Sequence, residues 1–149
     1  DGKTLDDFQV TDFIKRVHVI EIMNPDRITS SEVDWSLISP GEGVLFKTRN
    51  SREGLVKSGK FVSDFVYLSP DAAKKVNECK ASLVGIDYIS IEKYGVTEFH
   101  SHLLVLGKNI IVLEAINLSA VPEGKYTLMC LPLKIHGAEA SPVRAILLE

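Results

Sequence analysis

Two apolar blocks, Leu103-Leu104-Val105-Leu106 and Ile110-Ile111-Val112-Leu113, are separated only by Gly107-Lys108-Asn109 and bracketed by His102 and Glu114. Each block needs burial, and the short polar turn between them brings two elements together with an imidazole before the first and a carboxylate after the second. A carboxylate closing a four-residue apolar run is costly to bury unless it is paired or bound to a cation. The same residues admit a plainer reading, in which a strand ends in a solvated charge and the histidine is an ordinary core or surface group. His102 and Glu114 stand 12 positions apart, a spacing that matches no local ligand motif, so a shared site would draw them from two different elements.

Leu103, Leu104 and Leu106 lack strand alternation and lead into Gly107, a residue suited to a helix C′ position, so the first block is predicted to be a short helix. Two residues apart on a helix diverge by about 200°. Only one of His100 and His102 can then face Glu114, the other turning to solvent or to a neighbouring subunit.

Elsewhere the pattern is of strands interspersed with short helices. Arg16 to Met23 alternates, with Val17 and Val19 on one side and His18, Ile20 and Ile22 on the other, and reads as a strand in which His18 is structural. Ser31-Glu32-Val33-Asp34 has the form of a capping box and predicts a short helix through Trp35 to Ile38. Val44 to Thr48 reads as a buried strand, and Arg49 to Lys60 as a polar loop whose Arg49, Arg52, Lys57 and Lys60 are either solvated or able to meet an anionic substrate.

Ser69-Pro70-Asp71 is a strong helix start, and the helix is expected to reach about Lys80 with Ala72, Ala73, Val76 and Cys79 buried. Ser82 to Ile86 follows as a strand. Asp87 closes it, either as a turn residue or as a group orienting a site imidazole, with Ser90 and Tyr94 just beyond. Lys125 to Pro132 and Val143 to Leu148 read as the last strands, joined by the small-residue loop His136 to Pro142. The fold class is α/β with a mixed, mostly buried sheet and two or three helices.

At 149 residues the chain fits a single domain over 1–149 with a real core, and a net charge of −3 makes nucleic acid or an anionic membrane a poor main partner. Cys79 and Cys130 form no C-x-x-C pair, which points away from zinc knuckles and towards a reducing, cytoplasmic compartment. No apolar run reaches the roughly 18 residues of a membrane span, and no export signal is recognisable. The chain opens without Met, inside what reads as a loop, as a fragment or processed product would.

The succession Tyr67-Leu68-Ser69-Pro70-Asp71, Leu83-Val84-Gly85-Ile86-Asp87, His102-Leu103-Leu104, Ile111-Val112-Leu113-Glu114-Ala115, Leu131-Pro132-Leu133 and Ser141-Pro142-Val143-Arg144-Ala145 resembles the cyclase-like family, which includes bacterial kynurenine formamidases and isatin hydrolases. The resemblance implies a swivelling β/β/α-type domain and metal-dependent hydrolysis of an amide or formamide carbon–nitrogen bond, as in conversion of N-formylkynurenine to kynurenine. It implies a divalent metal, zinc or manganese, a small-molecule amide substrate, and a homodimer or homotetramer. It also assigns His102 and Glu114 to catalysis and metal ligation. The family's chief motif, His-x-Gly-Thr-His-x-Asp-x-Pro-x-His, is expected just upstream of Gly2 and is not in this sequence. Either an N-terminal segment supplies it, or the chain is a non-catalytic or partner-dependent member that has lost the main metal cage.

Overall fold

The computed structural model describes residues 2–149, and Asp1 lies outside the described residues. The alternating segment around Val17 and Val19 becomes β1 (Ile14–Glu21), and its two faces enter two different cores. It lies inside a six-stranded sheet with β3 (Gly43–Lys47), β5 (Leu83–Ile86), β6 (Ile111–Leu113), β7 (Gly124–Met129) and β8 (Ile146–Leu148), in the order β6-β5-β3-β1-β7-β8. β1, β3, β5 and β6 run parallel, whereas β7 and β8 are antiparallel additions. A minor parallel pair joins β2 (Arg27–Ile28) to β4 (Tyr67–Leu68).

The parallel strands are apolar on both sides because both faces are covered. Ile20, Val44, Phe46, Val84 and Ile86 point to the face packed by α2 (Pro70–Glu78) and by Val105 of α3 (His100–Leu106). Val17, Val19, Leu45, Leu83 and Leu128 point the other way, against Phe13, Ile116 and Leu118. Gly43 sits at a close approach, since a Cβ there would stand 3.0 Å from Val17 Cγ1 and 3.2 Å from Leu83 Cβ. The expected helix after Ser69 forms with Pro70 in its first turn, and its buried residues are Ala72, Ala73 and Val76. Cys79 follows it half-buried, and burial raises its thiol pKa, so it is not a ready nucleophile.

Two expectations need correction. The helix from Ser31 to Ile38 is instead two separate 3-10 turns, Ser30–Glu32 and Trp35–Leu37, divided by extended Val33. The capping box sits two residues earlier, on Thr29 and Glu32, whose carboxylate accepts from the Thr29 N–H at 2.9 Å, while Asp34 caps the second turn. Nor is Arg49 to Lys60 a plain loop: α1 (Arg49–Arg52) opens it, and its arginines are spent internally. Arg49 pairs with Glu53 and Asp64, Arg52 pairs with Glu21, and Lys57 donates to the Ser119 hydroxyl, while Lys60 is exposed.

Asp87 explains why α1 forms. Its fully buried carboxylate accepts from Thr48 N–H at 2.7 Å, Thr48 Oγ1 at 2.8 Å, Ser51 N–H at 3.0 Å and Asn50 Nδ2 at 3.3 Å. It touches no histidine, so the reading of Asp87 as the group orienting a site imidazole is replaced by one in which it ties the end of β5 to the turn after β3. Replacing it by Asn would set an N–H₂ against inward-pointing donors. Asp87→Asn is expected to cost on the order of 3 kcal/mol, measured by denaturant unfolding.

His18 is buried beside Ile20, with no hydrogen-bond partner for Nε2 among the described residues. Burial, with Lys125 adding to it, lowers its pKa below the ordinary 6.5. The native ring stays neutral where the unfolded ring takes a proton, so this group's effect is to reduce stability as pH falls below 6.5 towards the lowered native value. Unfolding midpoints between about pH 7.5 and about pH 5.5 should fall less steeply in His18→Leu than in the wild type.

Candidate active site

The site lies at the C-terminal ends of parallel strands, the edge where α/β sheets gather ligands. Glu114 immediately follows β6, and α3 presents His102 towards it. Helix α3 forms as expected but buries only part of its apolar block: Val105 is fully buried and Leu104 packs partly, whereas Leu103 and Leu106 are exposed. Two hydrogen bonds anchor it, from Ser101 Oγ to Leu68 O at 2.8 Å and from Asn77 Nδ2 to Leu104 O at 2.7 Å. Gly107 ends the helix in right-handed geometry, φ −63°, and Asn109 supplies the left-handed residue at φ 57°. The glycine serves close approach, because a Cβ at 107 would stand 2.7 Å from Leu103 O.

His102 Nε2 stands 3.4 Å from Glu114 Oε1. Its other ring nitrogen, Nδ1, stands 3.2 Å from Glu92 Oε2, and the same oxygen accepts the His102 backbone N–H at 3.1 Å. The side chains of Glu92, His102 and Glu114 are 8%, 25% and 31% exposed, so the cluster opens on the Glu114 side. His100 faces elsewhere: its side chain is 59% exposed and pairs with Glu98 at 3.2 Å. The structure thus brings His102 and Glu114 together and leaves His100 outside.

Glu114 is held from the chain below it. Its Oε1 accepts the Ile91 N–H at 2.8 Å, and the next residue, Ala115, is left-handed at φ 59° with its N–H donating to Tyr88 O at 2.7 Å. A non-glycine residue in that region costs roughly 1–2 kcal/mol and persists only where surroundings impose it. Here the imposing neighbour is the segment after β5, which also carries Glu92. That residue is the one sequence reading missed, since an acid in Ser90-Ile91-Glu92 belongs to no periodic pattern. Ser90 holds the turn by accepting the Glu92 N–H at 3.0 Å, and Tyr94 packs on Phe61.

The two carboxylates raise the pKa of His102 above the ordinary 6.5, led by the Glu114 hydrogen bond, with burial opposing and Glu92 adding to the rise. They lie on opposite sides of the ring. Among the described residues no three His, Cys, Asp or Glu side chains form a group that could hold a metal ion, and what converges is a pair, His102 Nε2 and Glu114 Oε1. That pair fits part of a divalent-cation site, for which a nitrogen and a carboxylate oxygen are suitable donors, and catalytic zinc takes three protein ligands. A cavity of about 410 Å³ opens beside Glu114, lined by Leu45, Leu113, Ile116, Leu118 and Leu128. The loop from His136 to Pro142 takes no part in the cluster; His136 and the Gly137 N–H are both engaged by Asp6.

Comparison with known proteins gives a consistent picture. The Cyclase family model ("Putative cyclase") matches residues 1–93. The kynurenine formamidase of Sphingopyxis alaskensis is 31% identical over 150 residues, covering 100% of this chain and 70% of that protein. Cyclase-like protein 3 of Arabidopsis thaliana is 39% identical over 127 residues, 83% of this chain, and the chain spans only 47% of its length. A solved structure titled "The Structure Of Potential Metal-Dependent Hydrolase With Cyclase Activity" superposes with a TM-score of 0.88 at 31% identity, over 98% of this chain and 70% of that one. Among the described residues no helix is long and apolar enough to cross a membrane.

The raised pKa of His102 stabilises the metal-free fold fully below 6.5, and that contribution fades as pH rises through the raised native value. Its sign is opposite to that of His18. Ring C–H resonances of His102 followed by NMR should titrate above pH 6.5 in the wild type and shift back towards it in Glu114→Gln.

Proposed function

We propose that this chain, which belongs to the cyclase family, carries the histidine and glutamate of a divalent-metal-dependent hydrolase acting on amide or formamide carbon–nitrogen bonds, with N-formylkynurenine as the type of substrate. The observation that carries this reading is the opposed pair His102 Nε2 and Glu114 Oε1, 3.4 Å apart and delivered by two separate elements. Support comes from the relative named kynurenine formamidase and the neighbour titled as a metal-dependent hydrolase.

His102 and Glu114 would hold the cation, zinc or manganese, with further ligands from beyond these two residues. Such an ion supplies Lewis acidity, polarising the scissile carbonyl and lowering the pKa of bound water from about 15.7 towards about 7. The chain's own part begins with the ring. Only neutral His102 offers Nε2 as a donor, and its neighbouring carboxylates keep the ring protonated to higher pH, so cation binding must release that proton. Glu114, fixed by the Ile91 N–H, presents its oxygen without having to reorganise. Where Nε2 is not engaged, the same ring can carry a proton to the leaving nitrogen. The cavity beside Glu114 has room for a small amide.

The site of action in this reading is the cytoplasm and the working unit a homodimer or homotetramer, which would cover the exposed Ile146 and Leu148 of β8. A second reading, a non-catalytic or partner-dependent member of the fold, draws on the fact that only two donors converge among the described residues. The mass of the intact gene product separates the two, because the enzymatic reading expects an extension bearing the histidine-rich motif.

His102→Ala and Glu114→Ala should each abolish metal-dependent hydrolysis of a formamide substrate by the full-length protein. Each variant should still unfold cooperatively, with a stability loss on the order of 1–3 kcal/mol for Glu114→Ala, which leaves the Ile91 N–H without its acceptor. Wild-type turnover in either variant would remove that residue from the mechanism.

A further inference from the structure

Glu92 has a geometry that simple charge pairing does not require. One oxygen, Oε2, takes both the backbone N–H of His102 and the Nδ1 side of its ring, at 3.1 Å and 3.2 Å. Two contacts from one atom, one to the main chain and one to the ring, fix the ring's direction relative to α3. The His102 N–H belongs to the first turn of α3, where no carbonyl within the helix can reach it. Glu92 is also the driest member of the cluster, its side chain 8% exposed against 31% for Glu114, and it makes the shorter of the two ring contacts. By distance and burial Glu92 is the ring's closer and drier acceptor, while Glu114, the larger cause of the raised ring pKa, lies on the more open side.

We infer that Glu92 is a positioning residue that takes the Nδ1–H of His102 and so commits Nε2, unprotonated, to the face of Glu114. This rests on the reading of His102 and Glu114 as the cation-holding pair. A ligating histidine whose second nitrogen donates to a carboxylate is fixed in tautomer and orientation and made a better donor, and loss of such a partner typically lowers metal affinity about 10-fold to 100-fold. With a neutral amide at position 92, the anionic Glu114 becomes the stronger acceptor and draws the ring proton to Nε2. That is the tautomer that cannot ligate through this atom.

The test uses the whole chain and two readouts. Nitrogen-correlated NMR of His102, assigned against His102→Ala and recorded where the ring is neutral, reports the tautomer without any metal. The Nδ1–H form is expected in the wild type, and a shift towards Nε2–H in Glu92→Gln. Titration with Zn²⁺ alone should show Glu92→Gln binding about 10-fold or more weakly than wild type, with Glu92→Asp, which keeps the charge, retaining part of the loss. Circular dichroism confirms that α3 and the fold persist. An Nε2–H tautomer in the wild type, or unchanged tautomer and Zn²⁺ affinity in Glu92→Gln, would overturn the inference and reduce Glu92 to a helix cap. If the wild-type chain binds no Zn²⁺, the cation needs the ligands from beyond these two residues, and the tautomer measurement alone upholds or overturns the role of Glu92.

Discussion

A carboxylate with no access to water is tolerable only if nearly every lone pair is used, and Asp87 meets that demand with four donors from Thr48, Asn50 and Ser51. The arrangement reaches further than its own contacts. Asn50 bonds both N–H and C=O of Val66, and Ser51 Oγ accepts the Leu118 N–H, so the turn after β3, the segment before β4 and the chain after β6 are tied to the end of β5. From Asp87 onward the chain then supplies Tyr88 O to Ala115, the Ile91 N–H to Glu114 and the Glu92 carboxylate to His102. The cluster around His102 is thus built on a loop whose first residue is its most firmly held.

The sheet makes this possible by being buried on both sides. Parallel strands covered on each face leave only their ends for polar chemistry, and the carboxyl ends of β5 and β6 are where the chain turns away from its neighbours. Ala115 shows how sharply it turns. Its left-handed backbone follows directly on Glu114, and strain of this kind next to a charged cluster is the usual mark of a position fixed by something other than local preference.

Charge is distributed to match. Arg49, Arg52 and Lys47 are consumed by Glu53, Asp64 and Glu21 on the turn after β3, while His102 sits between two acids. With both carboxylates ionised and the ring neutral, the cluster carries negative charge and suits a cation more than an anion. The same field explains why the ring holds its proton so readily in the metal-free chain, for a proton is the smallest cation that can satisfy both sides.

What the sequence determined by itself follows from local rules. Period-two alternation placed β1, continuous apolar runs placed β3 and β5, and Ser69-Pro70-Asp71 placed the start of α2, because burial and capping act on neighbours along the chain. The divergence of positions on a helix meant that only one of His100 and His102 could face Glu114, and the family resemblance pointed to His102. Tertiary structure decided the rest. The capping box moved from Ser31 to Thr29, the arginines of α1 found partners as far away as Asp64 and Glu21, and Asp87 turned inward to donors 36 to 39 positions distant instead of outward to a histidine. Glu92 likewise gained its role only when the loop after β5 folded against α3, ten positions further on. Such contacts join residues that share no periodicity, and only the packing of the elements selects them.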